Sequence, residues 1–256
     1  MTTDPARTLA LLWREPAPAR PRGPRRGLDV DAVVAAATAL LDAAGAEALT
    51  MRRLAAELGV APMTLYTYVP GREDLLDLAL DAAYAAMPRA DTAGRPWRER
   101  LTAVAEENRA LHRAHPWTAR ADPARPVLGP GETAKYEHEL AACDDLAELA
   151  GLDDVDRDAA LTFLLDFCRA AARAEQDTGP EDDPQAWWSA RAPVLARVLD
   201  PERFPRAVRV GAAAGAAAGA ARDPDRAWRF GLARVLDGLG ALVSSGRAGP
   251  APRRSP

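Results

Sequence analysis

Apolar positions in this chain fall into runs with three- and four-residue spacing, each bounded by Gly or Pro, which predicts a succession of helices. The first firm helix opens at Asp29, a good N-cap, with Leu28 and Val33 placed as a hydrophobic staple. Val33, Val34, Ala37, Leu40, Leu41 and Ala44 form its buried stripe, and Gly45 ends it. Leu54, Leu58, Val60, Leu65 and Val69 then keep helical spacing across a single break at Gly59, so two short helices meet at a turn. Thr50 is the N-cap of the first, over 51–58; Arg53 stands where a capping box needs Glu or Gln. Ala55 is small enough for a close crossing, Gly59 takes the left-handed exit, Val60 plugs the corner and Pro62 sits in the first turn of the second helix. Pro62, Met63, Thr64, Tyr66, Thr67 and Tyr68 are left facing outward to differing degrees, which an ordinary helical hairpin does not need. A fourth helix, Arg72 to Met87, carries Glu73 and Asp74 in its first turn, is closed by Pro88 and is about 24 Å long.

Beyond it the same spacing predicts a helical body. Helices are expected over 97–114, 132–150, 154–178 (capped by Asp154), 184–199 and 223–243, with only a short turn in the Pro-rich 117–130. Ala160, Phe163, Phe167, Ala170 and Ala174 make one stripe; Trp228, Leu232, Val235, Leu239 and Leu242 make another, a pair that suits an antiparallel bundle. Gly211, Gly215 and Gly219 recur in an Ala run, which reads as a close-packing helix surface or, preferably, as an Ala/Gly spacer.

Composition supports an all-α protein: 48% of the 256 residues are apolar, Ala dominates and strand formers are sparse. The net charge of −4 is unevenly spread. Residues 1–27 hold Arg7, Arg14, Arg20, Arg22, Arg25 and Arg26 against Asp4 and Glu15, a local +4, which leaves −8 for the rest. A basic Pro/Arg-rich arm over 1–27, without fixed structure, is either a phosphate-seeking extension or a solvated tail. Cys143 and Cys168 lie in different helices without metal-ligand spacing, so reduced, buried thiols and a cytoplasmic location are expected. The run from Leu9 to Trp13 is too short for a signal segment or membrane span.

Residues 28–87 resemble the DNA-binding head of the tetracycline-repressor (TetR/AcrR) family. The resemblance rests on Thr50-Met51-Arg52-Arg53-Leu54-Ala55, Leu58-Gly59-Val60, Thr64-Leu65-Tyr66 and Leu75-Leu76. It implies an all-α fold in which a three-helix helix-turn-helix head is joined by a fourth helix to a larger helical-bundle regulatory domain. The domains would be the arm (1–27), the DNA-binding domain (28–71), the linker helix with ligand-binding and dimerisation domain (72–246) and a disordered tail (247–256). By matching positions, Thr50, Thr64, Tyr66, Tyr68 and Arg72 would hold phosphates, and Arg52, Pro62, Met63 and Thr67 would face base edges, Arg52 being able to pair bidentately with guanine.

The resemblance also implies a homodimer on a palindromic DNA operator, its recognition helices about 34–36 Å apart. The last two long helices would form the interface through Ala160, Phe167, Ala174, Trp228, Leu232, Val235, Leu239 and Leu242, unless both stripes are buried within one subunit. A small-molecule effector would enter among 97–114, 132–150 and 154–178 and release the operator, with Trp97, Trp117, Tyr136, Phe163 and Phe167 lining its pocket, although such aromatics also serve as plain core. No histidine lies between 72 and 87, a departure from the namesake's magnesium-tetracycline site. His112 and His115 sit three apart at a helix end with His138 elsewhere, and neither a metal site, a cofactor nor catalytic spacing is expected. The competing reading is a DNA-binding dimer without a ligand, controlled by a protein partner or constitutive. A fully packed body would favour it, and a cavity of several hundred Å³ would favour a ligand.

Overall fold

The computed structural model describes residues 5–14, 28–122, 124–176 and 183–246. Every regular element among them is helical. The head consists of α2 (Val30–Ala44), α3 (Met51–Glu57) and α4 (Pro62–Leu65), and α5 (Arg72–Ala86) leads out of it. The body follows as α6 (Trp97–Ala114), a 3-10 turn (Pro116–Arg120), α7 (Pro130–Ala142), α8 (Asp144–Ala150), α9 (Asp154–Gln176), α10 (Pro184–Val198), α11 (Pro205–Ala218) and α12 (Pro224–Gly246).

The predicted caps act as their chemistry requires. Asp29 accepts the amide of Ala32 at 2.8 Å and Thr50 that of Arg53 at 3.1 Å. Gly45 and Gly59 take φ of 74° and 65°, in the left-handed region that glycine enters without steric cost. Val33, Val34, Ala37, Leu40 and Leu41 are buried as expected, while Ala44 faces solvent. Leu54, Leu65 and Val69 are fully buried with Leu75 and Leu78 of α5, so head and linker helix share one core.

Several expectations change. Residues 5–12 of the expected arm form a helix, α1 (Pro5–Leu12), which packs on α5: Leu12 enters the head core and Thr8 donates to Asp74 at 2.7 Å. Arg20, Arg22, Arg25 and Arg26 lie outside the described residues, as do the tail over 247–256 and the loop over 179–182. The helix expected over 132–150 is divided at Cys143, whose amide is bonded to Leu140 O, and Gly151 ends the second piece with φ 68°. Asp153, rather than Asp154, caps α9 by accepting the amide of Asp156. The glycine repeat is helical: Gly211 and Gly215 lie within α11 and Gly219 ends it, so the spacer reading gives way to the close-packing one.

A second core joins α6, α8, α9 and α12 through Leu101, Val104, Leu146, Leu161, Leu164, Trp228, Leu232 and Leu236. On α9 the buried side is Ala160, Leu161, Leu164, Cys168 and Ala172. The predicted stripe of Phe163, Phe167, Ala170 and Ala174 is turned mostly outward, because Leu161 and Leu164 fill the interior better than the flanking alanines do. Both cysteines are free and buried, and burial pushes the thiol of Cys143 up to about 11 and that of Cys168 up to about 12. No described helix is long and apolar enough to cross a membrane.

Candidate nucleic-acid interface and the body that carries it

Helix α4 is a single turn pinned from below by Leu65 and Val69, and its orientation is set by Gly59 and by the bond from Val60 N to Ala55 O at 3.0 Å. Its outer surface is therefore fixed. Arg52, Pro62, Met63, Tyr66 and Thr67 are exposed, Met63 to 73%, and Thr64 and Tyr68 are half-buried. Among the described residues Arg52 has no ion pair, which leaves the whole guanidinium fork for an acceptor. Thr50 accepts at its cap and so keeps its hydroxyl proton for a phosphate. The hydroxyl of Thr67 donates to Thr64 O at 2.6 Å, which leaves its methyl as the outward group.

Arg72 does not join this surface. Its guanidinium turns inward and donates to Leu49 O and Ala46 O, each at 2.8 Å, tying α5 to the α2–α3 connection. Its expected phosphate contact is replaced by a bracing role: the guanidinium supplies a donor to Leu49 O and a second donor to Ala46 O, which already accepts the Leu49 amide.

Three contacts fasten the head and α5 to the body. Asp42 of α2 accepts from the Trp117 indole at 2.7 Å and lies 2.8 Å from His115 Nδ1. Asp77 of α5 pairs with Arg125 at 2.9 Å. Trp13 donates to Leu128 O at 3.0 Å, and just beyond it Gly129 and Gly131 press on Asp81, whose carboxylate accepts the amide of Glu132 at 2.8 Å. A Cβ at Gly131 would overlap the Asp81 carbonyl, so α5 and α7 touch backbone to backbone there.

The five aromatic residues expected to line a pocket do not converge. Trp97 packs beside Gly240 against the second core, and Trp117 belongs to the head-side core. Tyr136 is exposed and donates to Asp158 at 2.7 Å, Phe163 is 54% exposed, and Phe167 stacks on Trp228 with ring centroids 5.2 Å apart. The body interior instead holds a polar group that sequence reasoning missed. Glu139, 1% exposed, accepts from Lys135 Nζ at 2.6 and 2.8 Å and from Asn108 at 2.6 Å, and His112 Nδ1 lies 2.8 Å from Thr118 Oγ1. In the sequence Lys135 and Glu139 look like a solvated pair on a helix face; only the packing of α5 and α6 over them makes them interior. The three histidines have separate partners, Thr118, Asp42 and Glu107, and no metal-holding cluster occurs among the described residues.

A groove of about 770 Å³ lies between α10 and α11, with Trp188 against Gly215 and Leu195, Leu199 and Val208 along its walls. Both helices pack only lightly on the rest of the chain.

The expected dimer residues divide. Ala160, Trp228, Leu232, Val235 and Leu239 are buried within the subunit, so they are core, not interface. Phe167, Ala174 and Leu242 remain on the outer face of α9 and α12, where Phe163 and Phe230 (66% exposed) also point outward. The stripe on α12 was legible, but its partner is α6, α8 and α9 of the same chain.

Comparison with known proteins bears on this arrangement. Residues 33–79 match the bacterial regulatory proteins of the tetR family, and residues 90–243 match the tetracyclin repressor-like C-terminal domain. The chain is 40% identical over 97% of its length, and 90% of the relative's, to the HTH-type transcriptional repressor DrrR1 of Streptomyces coeruleorubidus. Among solved structures it is similar to apo ActR of Streptomyces coelicolor, with 28% identity, 87% of this chain and 99% of that one covered, and a TM-score of 0.68. ActR in complex with actinorhodin gives 27% identity, 85% and 99% coverage and a TM-score of 0.69.

Proposed function

This chain belongs to the TetR family of helix-turn-helix transcriptional regulators, and from that premise we propose that it represses a palindromic operator as a two-fold homodimer and lets go when a small molecule binds the body. The observation that carries the DNA reading is the braced, outward surface of α4 with Arg52 beside it, which makes no ion pair among the described residues. One such head reads too few base pairs to select a site in a genome, and pairing two heads on successive major grooves supplies the rest.

The pairing surface proposed is the outer face of α9 and α12. Phe163, Phe230 and Leu242 stand exposed there on two long helices, and a pair of these faces buries them as a four-helix contact. Thr50, Thr64, Tyr66 and Tyr68 then serve phosphates, and Arg52, Pro62, Met63 and Thr67 the base edges.

Release by a small molecule is supported by the ActR–actinorhodin likeness and by the head–body joints at Asp42, Asp77 and Leu128. A ligand that favours one setting of those joints shifts the spacing of the two heads. Selection of bound duplexes from a random pool, repeated at several salt concentrations, tests the DNA reading. A recovered palindrome supports it, and sequence-independent binding with a steep salt slope contradicts it.

A further inference from the structure

Helix α1 lies along α5 where α5 leaves the head core, at Leu75 and Leu78, and meets α7, at Asp81. It is held to the head in three ways. Thr8 donates to Asp74 in the first turn of α5 at 2.7 Å, Leu12 is buried in the head core, and Arg14 donates to Asp31 of α2 from two nitrogens, at 2.9 and 2.6 Å. Its tie to the body is the bond from the Trp13 indole to Leu128 O at 3.0 Å, between two exposed residues. Leu128 precedes Gly129, which presses on Asp81, seven residues or roughly 10 Å of helix beyond Asp74. Helix α1 therefore spans the crossing from head to body.

The backbone marks the same contact. Among the described residues only Arg14 and Leu128 combine a positive φ, 51° and 60°, with a side chain. There an L side chain crowds the following carbonyl, and such conformations persist only where their neighbours impose them. Arg14 is imposed on by Asp31, and Leu128 by Glu132, whose carboxylate accepts its amide at 2.7 Å. A contact that keeps two residues strained is biased to open. Leu12 and the Arg14–Asp31 pair make the head side the stronger, so α1 stays with the head and the contact parts at Trp13.

We propose that α1 is a splint that locks the angle between head and body, with the Trp13–Leu128 contact as its catch. Helix α2 is pinned to the body at Asp42 and, through α1, at Asp31, eleven residues or roughly 16 Å away. Two pins fix its direction. With the catch open, the head is left to turn on the Asp42 joint and on the Asp81–Gly131 contact, and Leu128 relaxes out of the left-handed region. The device lies within one chain, so it needs neither the paired subunits nor the effector of the reading above.

The test uses the full chain with nitroxides at two exposed positions, Glu57 of α3 and Glu148 of α8, introduced as E57C/E148C and diluted into unlabelled protein. The native thiols are buried and stay unlabelled. Pulsed dipolar spectroscopy should give one narrow distance in the otherwise wild-type chain. Trp13→Phe keeps an aromatic ring and removes the donor, so it should broaden that distance or add a second one while the fold is retained. Leu128→Gly keeps the accepting carbonyl and removes the crowding, so it acts in the opposite sense: proton exchange at the Trp13 indole should slow by about 5- to 30-fold, the ratio set by the cost of one left-handed side-chain-bearing residue. The indole signal is assigned by its loss in Trp13→Phe. Identical distance distributions with and without the Trp13 donor, or indole exchange in Leu128→Gly as fast as in wild type, overturn the proposal. Should Trp13→Phe fail to fold, the exchange measurement on Leu128→Gly decides alone.

Discussion

The indole of Trp117, on the turn after α6, donates to the carboxylate of Asp42, on the first helix of the head, at 2.7 Å. One carboxylate thus anchors a body residue to α2, which packs against α3, the helix that carries the recognition turn. Asp42→Ala leaves a largely buried indole N–H without its charged acceptor and is expected to cost about 1–3 kcal/mol in urea unfolding. Asp42→Asn keeps an acceptor and should cost less. Equal stability of all three proteins would show that the joint carries no load.

Arg52 and Arg72 separate reading from bracing. Arg52→Ala is expected to lose roughly 1–3 kcal/mol of operator affinity and to relax preference at one base pair, with no change in thermal midpoint. Arg72→Ala strips donors from Leu49 O and Ala46 O and should lower stability by about 1–3 kcal/mol. Binding titrations and thermal melts on both variants decide this, and a reversed pattern would exchange the two roles.

Sequence and structure agree where local chemistry decides. Asp29, Thr50, Gly45 and Gly59 announce helix ends through side-chain oxygens or a missing Cβ, and each behaves as expected. The head is legible for that reason. What the chain does not announce is which of two apolar faces turns inward. Trp228, Leu232, Val235 and Leu239 form a periodic stripe whether the partner is the same subunit or another, and Arg72 looks as cationic beside two carbonyls as beside a phosphate. The Lys135–Glu139 pair is similarly silent, because four-residue spacing is shared by surface and interior pairs alike.

His112 makes stability depend on pH. Its folded-state pKa lies below the ordinary 6.5, at about 4, so the unfolded chain takes up the proton first as pH falls. The contribution of the neutral ring is complete above about pH 6.5 and is lost as pH drops towards 4, by about 3 kcal/mol at most. Unfolding at stepped pH should show a steeper acid loss in wild type than in His112→Phe. Parallel curves would contradict a buried neutral ring.

Gly131 marks the backbone contact between α5 and α7. Gly131→Ala drives a methyl into the Asp81 carbonyl, which cannot rotate away, and is expected to destabilise by about 1–3 kcal/mol. Gly231→Ala meets the ring of Phe167, a side chain and not a backbone carbonyl, and should cost less. Chemical unfolding of the two variants gives the comparison, and the opposite order would place the tight contact elsewhere.

In the proposed assembly two chains, paired through α9 and α12, set two copies of α4 one turn of duplex apart. Sedimentation of the protein alone and on a selected duplex, for wild type and the double variant F163E/F230E, tests it most directly. The expected result is a dimer that binds one palindrome with half-sites about 10 base pairs apart, and a variant that sediments as a folded monomer with operator affinity lost. A wild-type monomer that still selects one duplex sequence, or a variant that stays dimeric and binds as before, would contradict it.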